Sequence, residues 1–177
     1  MRAAGVIILA VLAGCSSGRV VTYSRAPSFR ARTLAVAGLR GAQGTSGEMI
    51  RLLISQLEPS GIRCVDLKSS DSVLAGAALN LQAAVDPHLL AEVRRATEAE
   101  GLVFLNLDSS GRFIEVIVLD LRTGEPVLKA EGRPRGKAFA TVEESAAIAA
   151  EALGVLSQNR RKATVRASDS TDEIPVP

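Results

Sequence analysis

"TLAVAGLRGAQGTSGEMIRLLISQLEPSGIRCVD", residues 33 to 66, decides the fold. It opens on small and branched apolar residues, Thr33 to Leu39, which suit a strand. Glycines then recur at every third position: Gly38, Gly41, Gly44 and Gly47. A helical repeat follows over about Ser46 to Glu58. Met49, Ile50, Leu52, Leu53 and Leu57 share one apolar face, and Glu48, Arg51, Ser55 and Glu58 line the other. Thr45 and Glu48 stand at capping-box spacing, where each side chain can satisfy a backbone donor of the first turn. Pro59-Ser60-Gly61 stops the helix, and Ile62 to Leu67 reads as a second strand.

A strand, a glycine-rich turn and a helix N-terminus also describe a phosphate-binding loop. The spacing argues against one. It is G-x-x-G-x-x-G-x-x-G, whereas a dinucleotide site needs G-x-G-x-x-G and a P-loop needs Gly-Lys-Ser/Thr. Gly44-Thr45 has no lysine to meet a phosphate. The stretch reads instead as an accessible loop, and Gly41, Gln43 and Gly44 are its candidate contacts for a partner protein.

Downstream, "DSVLAGAAL" (71–79) predicts a short helix capped by Asp71. A longer helix starts at Asp86 as cap and Pro87 at the first helical position, and runs to Glu100, ended by Gly101. Leu89, Leu90, Val93 and Ala96 give it a core stripe, with Glu92–Arg95 and Arg94–Glu98 placed to pair across turns. "LVFLNLD" (102–108) predicts a strand buried on both faces at its start, "RFIEVIVLDL" (112–121) a second, and "PVLKAEG" (126–132) a third. Pro126 cannot donate to a ladder, so the last strand should lie at an edge or begin there. Thr141 and Glu144 repeat the capping-box spacing before a helix that runs to about Leu156. The order β-α-β-(α)-α-β-β-β-α predicts an α/β domain over 32–157. It is a mixed sheet of about five strands with helices packed on it.

The N-terminus carries an address. Met1-Arg2 precedes the apolar run Ala3 to Ala13, which is shorter than the ~20 residues of a spanning helix and fits the h-region of a signal peptide. Leu12-Ala13-Gly14-Cys15 resembles the lipobox of bacterial lipoproteins position for position. The resemblance implies removal of residues 1–14 and a covalent diacylglycerol and N-acyl chain on Cys15, with no other cofactor. Ser16 at the sorting position implies export to the periplasmic face of the outer membrane. Residues 15–31 are then expected to be the lipidated cysteine and a tether, extending at most ~55 Å, and residues 158–177, without an apolar stripe, a disordered tail.

Composition narrows the function classes. Removing residues 1–14 deletes one of 21 basic residues, which leaves 20 against 19 acidic ones. So near-neutral a surface lacks the basic bias of a nucleic-acid binder. With no Trp, one Tyr and four Phe, the core must be aliphatic. If Cys15 carries lipid, Cys64 has no intrachain partner and reads as a buried small hydrophobe. His88 follows Asp86-Pro87, so it belongs in a first helical turn facing solvent, away from any metal or acid–base role. Asp71 and Asp86 read as caps, Asp108 and Asp120 as turn residues, and Asp66 as an ordinary strand-end residue near Lys68. No nucleophile elbow or His–Glu metal motif is present in the sequence, so neither a catalytic nor a metal-binding set is assigned.

Three segments together resemble a known family: residues 33–66, residues 72–111, and the strand–D-x-x-TGE–strand hairpin of residues 114–132. The chain resembles the CsgG-type outer-membrane lipoproteins, whose fold is shared with LpoB-type activators of penicillin-binding proteins and with the N-terminal domain of TolB. The resemblance implies a compact domain similar to the anticodon-binding domains of tRNA synthetases. CsgG-type pores add amphipathic hairpins with strands of ~10 residues. Here the only strand of that length, 112–121, is apolar on both faces like a core strand, so a self-sufficient pore is not expected. The expectation is a lipid-anchored, non-enzymatic interaction module, accessory to a secretion or surface-assembly complex of curli-transport type. It contacts the membrane through its lipid, meets an envelope protein partner, leaves oligomerisation open and binds no nucleic acid. Alternatives are an activator of a penicillin-binding protein and a small-ligand-binding lipoprotein using the loop 38–47.

Overall fold

A computed structural model describes residues 18–41, 46–80 and 86–157. Its chain order is β1 (Gly18–Arg25), β2 (Thr33–Arg40), α1 (Ser46–Leu57), β3 (Arg63–Asp66), α2 (Leu67–Ser70) and α3 (Ser72–Asn80). Then come α4 (Pro87–Thr97), β4 (Gly101–Leu107), β5 (Ile114–Asp120), β6 (Pro126–Pro134) and α5 (Val142–Gly154). The strands form one mixed sheet in the order β1-β6-β5-β4-β2-β3. β2 runs parallel to β3 and β4, and the other pairs are antiparallel.

Alternation along the central strands divides the core in two. Leu34 and Val36 of β2, Val103 and Leu105 of β4, and Ile114, Val116 and Val118 of β5 pack with α1 and α5. Ala35, Ala37, Leu102, Phe104 and Leu119 meet α3 and α4 on the other face. A strand covered on both faces needs apolar residues at successive positions, which is why β4 reads as an unbroken apolar run. The first layer is aliphatic, as the composition requires. Alanines at 146, 149, 150 and 152 let α5 lie close to the sheet.

The sheet therefore has six strands. Residues 18–25, expected to lie in the tether, form β1, paired antiparallel with β6 from Gly18↔Pro134 to Arg25↔Leu128. The run Val20-Val21-Thr22-Tyr23 is a sequence of β-formers. It needs only the open edge of β6 to become a strand, and Val20 packs against the core. β1 takes the edge, so β6 is interior, and Pro126 is its first residue, where a missing donor is tolerated.

Other differences are local. Residue 67 begins α2 rather than ending β3, with Asp66 as its cap: the carboxylate accepts the Lys68 N–H at 3.1 Å. α4 ends earlier than expected. Glu98 adopts a left-handed conformation, φ 54°, and its N–H bonds Arg94 O at 2.8 Å, while Thr97 Oγ1 donates to Val93 O at 2.7 Å. Gly101 does not end the helix; it starts β4, where a Cβ would lie 2.9 Å from Leu34 Cδ2 and 3.0 Å from Val118 Cγ1. Glu98 has left the helix, so the Arg94–Glu98 pair does not form, and the Glu92–Arg95 pair, though both residues lie within α4, is also not among the ion pairs of the described residues. The cap expected at Thr45 lies outside the described residues. At α5 the Thr141 hydroxyl accepts the Glu144 N–H at 3.2 Å, and the Glu144 carboxylate accepts from Ala140 N at 2.9 Å.

At Gly132 of β6 helix α5 approaches the sheet closely. A Cβ there would lie 2.0 Å from Ile148 Cγ2 and 3.1 Å from Ile114 Cγ2. Gly132→Ala is expected to destabilise by about 1–3 kcal/mol, the usual range for overpacking. Combined with Ile148→Ala, which removes the opposing methyl, the loss should be smaller than the sum of the single losses. Urea unfolding of the four-protein cycle measures this; additive losses would refute the packing account.

Candidate functional site

The register sorts the loops into two ends. Gly18 faces Pro134, Ile114 faces Gly132, Leu107 faces Ile114, and Arg40 faces Asn106. The start of β1, the end of β2, the β4–β5 turn and the β6–α5 connection therefore share one end of the sheet. The start of α1 follows β2 there. The opposite end holds the β5–β6 turn, the end of α4 and Ser157, whose hydroxyl donates to Ser60 O at 2.5 Å.

At the first end the loops are fastened to one another. Phe139 N–H donates to Gly111 O at 2.7 Å, joining the 135–141 connection to the β4–β5 turn. Gly41 is exposed, yet its backbone has φ +92° and a Cβ would fall 1.8 Å from Leu107 O, so no other residue fits there undisturbed. Close approach of two backbones thus explains this glycine without a ligand. Gln43 and Gly44, its partners in the candidate contact loop, lie outside the described residues, as do Leu12, Ala13, Gly14, Cys15 and Ser16. In the neighbouring turn Asp108 accepts the Ser110 N–H at 3.2 Å and also its hydroxyl. The Ser110 hydroxyl bond, with backbone bonds and the nearby Arg112 charge, holds the Asp108 carboxyl below its ordinary range. Arg19, Arg112, Arg135 and Lys137 are exposed at this end.

At the other end α4 and the β5–β6 turn flank a shallow depression of about 670 Å³. Leu90, Ala99 and Leu121 line it together with Arg94, Arg95 and Arg122. Glu100 also borders it, but its carboxylate already accepts the N–H groups of Arg32 and Thr33, at 3.1 and 2.7 Å. Glu98 and Thr123 line it as well, so the depression carries both signs of charge.

The polar residues singled out in the sequence have structural partners. Asp71 accepts from Val73 N and Leu74 N, and Asp86 from His88 N, so both cap helices. Asp120 accepts from Arg122 N in a turn. His88 is exposed in the first turn of α4. Cys64 is a free thiol buried on β3, and burial pushes its pKa up to about 12. Among the described residues no three His, Cys, Asp or Glu side chains gather as metal ligands would. The β1 strand, which places one end of the sheet next to Cys15 in sequence, was signalled only by the Val-Val-Thr-Tyr run.

No protein-family model and no curated protein matches the sequence. Solved structures do. Two crystal structures of the PelC dodecamer from Paraburkholderia phytofirmans superpose with TM-scores of 0.50 each, at 15% and 16% identity. Both cover 79% of this chain, and 98% and 97% of theirs. Lipoprotein GNA1162 from Neisseria meningitidis gives 0.45 at 10% identity, covering 80% of this chain and 99% of that one. At such identities the PelC likeness establishes a shared fold.

The Cys64 environment is directly checkable. Its thiol should stay protonated and unreactive towards Ellman's reagent at pH 8 in the folded protein and react fully in guanidinium. Because the folded pKa lies above the unfolded one, ionisation favours unfolding as pH rises from the ordinary thiol range towards 12. Cys64→Ala should reduce that alkaline loss of stability; fast labelling of the folded protein at pH 8 would contradict the burial.

Proposed function

We propose that the chain is a lipid-anchored interaction module of the bacterial envelope, acting as an oligomer and as an accessory component of a secretion or surface-assembly complex. One observation carries the proposal: the lipobox-like Leu12-Ala13-Gly14-Cys15 ends three residues before the first strand of a fold shared with PelC, which forms a dodecamer. In this reading residues 1–14 are a signal peptide and Cys15 bears the acyl chains. Ser16 directs the protein to the outer membrane, and residues 158–177 follow the domain as a tail. Acyl chains contribute roughly 0.8 kcal/mol per buried methylene, so several on one cysteine anchor firmly.

The position of β1 favours this module over an activator of a penicillin-binding protein. Such an activator works across a distance and draws on a long tether. Only Ser16 and Ser17 separate Cys15 from Gly18, and three residue steps extend about 11 Å. A domain held so close meets partners at the membrane surface. The loop with Gly41, Gln43 and Gly44, which starts at the same end of the sheet as Gly18, is the proposed contact for such a partner.

Two measurements test this. Labelled palmitate should enter the wild-type chain, and Cys15→Ser should abolish incorporation and release the protein from membranes. Cross-linking of the lipidated protein in mildly solubilised membranes should give species larger than a dimer. Recovery of monomer alone, across detergents and cross-linkers, would refute the oligomeric module.

A further inference from the structure

An oligomer needs something to join its copies, and the closed chain offers little apolar surface for that. Among the described residues Val73 is the one large hydrophobic side chain that is exposed, whereas lasting interfaces between copies bury hydrophobic surface on each. The outer edges of the sheet are poor joints as well. β3 has four residues. β1 carries a register shift between Thr22 and Ser24, and such an irregularity bends an edge away from further pairing. The longest strand of the sheet, β6 with nine residues, lies just beneath β1. β1 is held there chiefly by main-chain bonds. Of its described side chains none is fully buried: Arg19 and Thr22 are exposed, and Val20, Val21 and Arg25 are half-buried. Its release is therefore a local event that costs less than opening the two-layer core. The β6 edge it leaves recruits another strand, as bare edges do. The same strand of another copy fits that edge best. Every rung from Gly18↔Pro134 to Arg25↔Leu128 is remade, and identical contacts make an exchange between copies a low-cost route to assembly.

We propose that copies of this chain are joined by exchange of β1, residues 18–25 of one copy pairing with β6 of the next. The proposal rests on the oligomeric reading above and supplies its joint. The connector permits it. Residues 26–32 join β1 to β2, which lies four strand spacings away in the sheet, about 19 Å at the usual spacing. With Ala31 kept on Leu156 O, the six steps back to Arg25 reach about 21 Å. On its other side β2 is next to the β3 edge. A copy set beyond that edge, with the visiting strand between, presents its β6 three spacings from β2, roughly 14 Å. Orientation agrees too. Copies related head to tail in this way point alike, so every Gly18 lies at the same end, as acyl chains in one membrane require. A head-to-tail contact closes into a ring where its rotation divides a full turn.

Disulfide trapping tests the exchange. Arg19 and Arg133 face each other across the β1–β6 ladder, and both are exposed. Arg19→Cys is placed on a full-length chain with one epitope tag and Arg133→Cys on a chain with another. The two are co-expressed, and their membranes are oxidised before mild solubilisation. A non-reducing gel should show a disulfide-linked species carrying both tags. It should be several-fold stronger than when the wild-type chain replaces the Arg19→Cys chain, or when Thr123→Cys, at the far end, replaces Arg133→Cys. Val21→Cys and Glu131→Cys, also directly opposite, repeat the test should either arginine variant fail to accumulate. With both cysteines on one chain, the assembled protein should run as a covalent ladder. Assemblies seen by cross-linking, with disulfides formed only within chains, overturn the exchange and leave the oligomer standing. A chain that stays monomeric under cross-linking overturns the oligomeric reading and the exchange with it.

Discussion

Burial of β4 on both faces is the constraint on which the rest of the structure depends. Its first five residues, Gly101 to Leu105, are buried, between a parallel neighbour on one side and an antiparallel one on the other. A strand so placed demands two separate apolar layers, and helices are divided between them: α1 and α5 on one face, α2 to α4 on the other. Gly101 shows how little slack this leaves, since the side chains of Leu34 and Val118 occupy the space a Cβ would need. At about 25 cal/mol per Å² of apolar surface removed from water, the two layers supply most of the drive to fold. The polar groups are spent on helix caps and turns.

Strong periodicity made most of this visible in the sequence. The apolar face of α1, the Asp86-Pro87 start of α4, the unbroken run of β4 and the hairpin around Thr123-Gly124 are local signals, and each stands in the structure where the pattern put it. The failures are physical too. β1 has no clean alternation, because an edge strand covered by few neighbours is held by main-chain bonds to β6, which a pattern of side chains does not report. Glu98 ends α4 in a backbone conformation that residues other than glycine seldom adopt, and no residue type announces that. Of the candidate functional residues, the sequence alone carries the lipobox. For Gly41 the structure adds a steric reason that the glycine spacing only hinted at.

A domain with a single fold can serve many purposes, and here the side chains with chemical potential are mostly satisfied by their own backbone. Asp66, Asp71 and Asp86 bind helix N–H groups, and Asp108 and Asp120 bind turn N–H groups. The two ends of the sheet differ in their loops, and the shallow depression lies at the end away from Gly18.

The position of β1 has a mechanical consequence. A pull on Cys15 enters the domain at Gly18, along the axis of an edge strand hydrogen-bonded to β6 down to Arg25. Such a pull loads the rungs of that ladder together, in shear, rather than peeling them one at a time. Arg25 adds a lock at the far end, its Nη2 donating to Val155 O at 2.7 Å just beyond α5. In the proposed lipid-anchored form, β1 would act as a strain-bearing splice that carries tension from Cys15 into the interior strands.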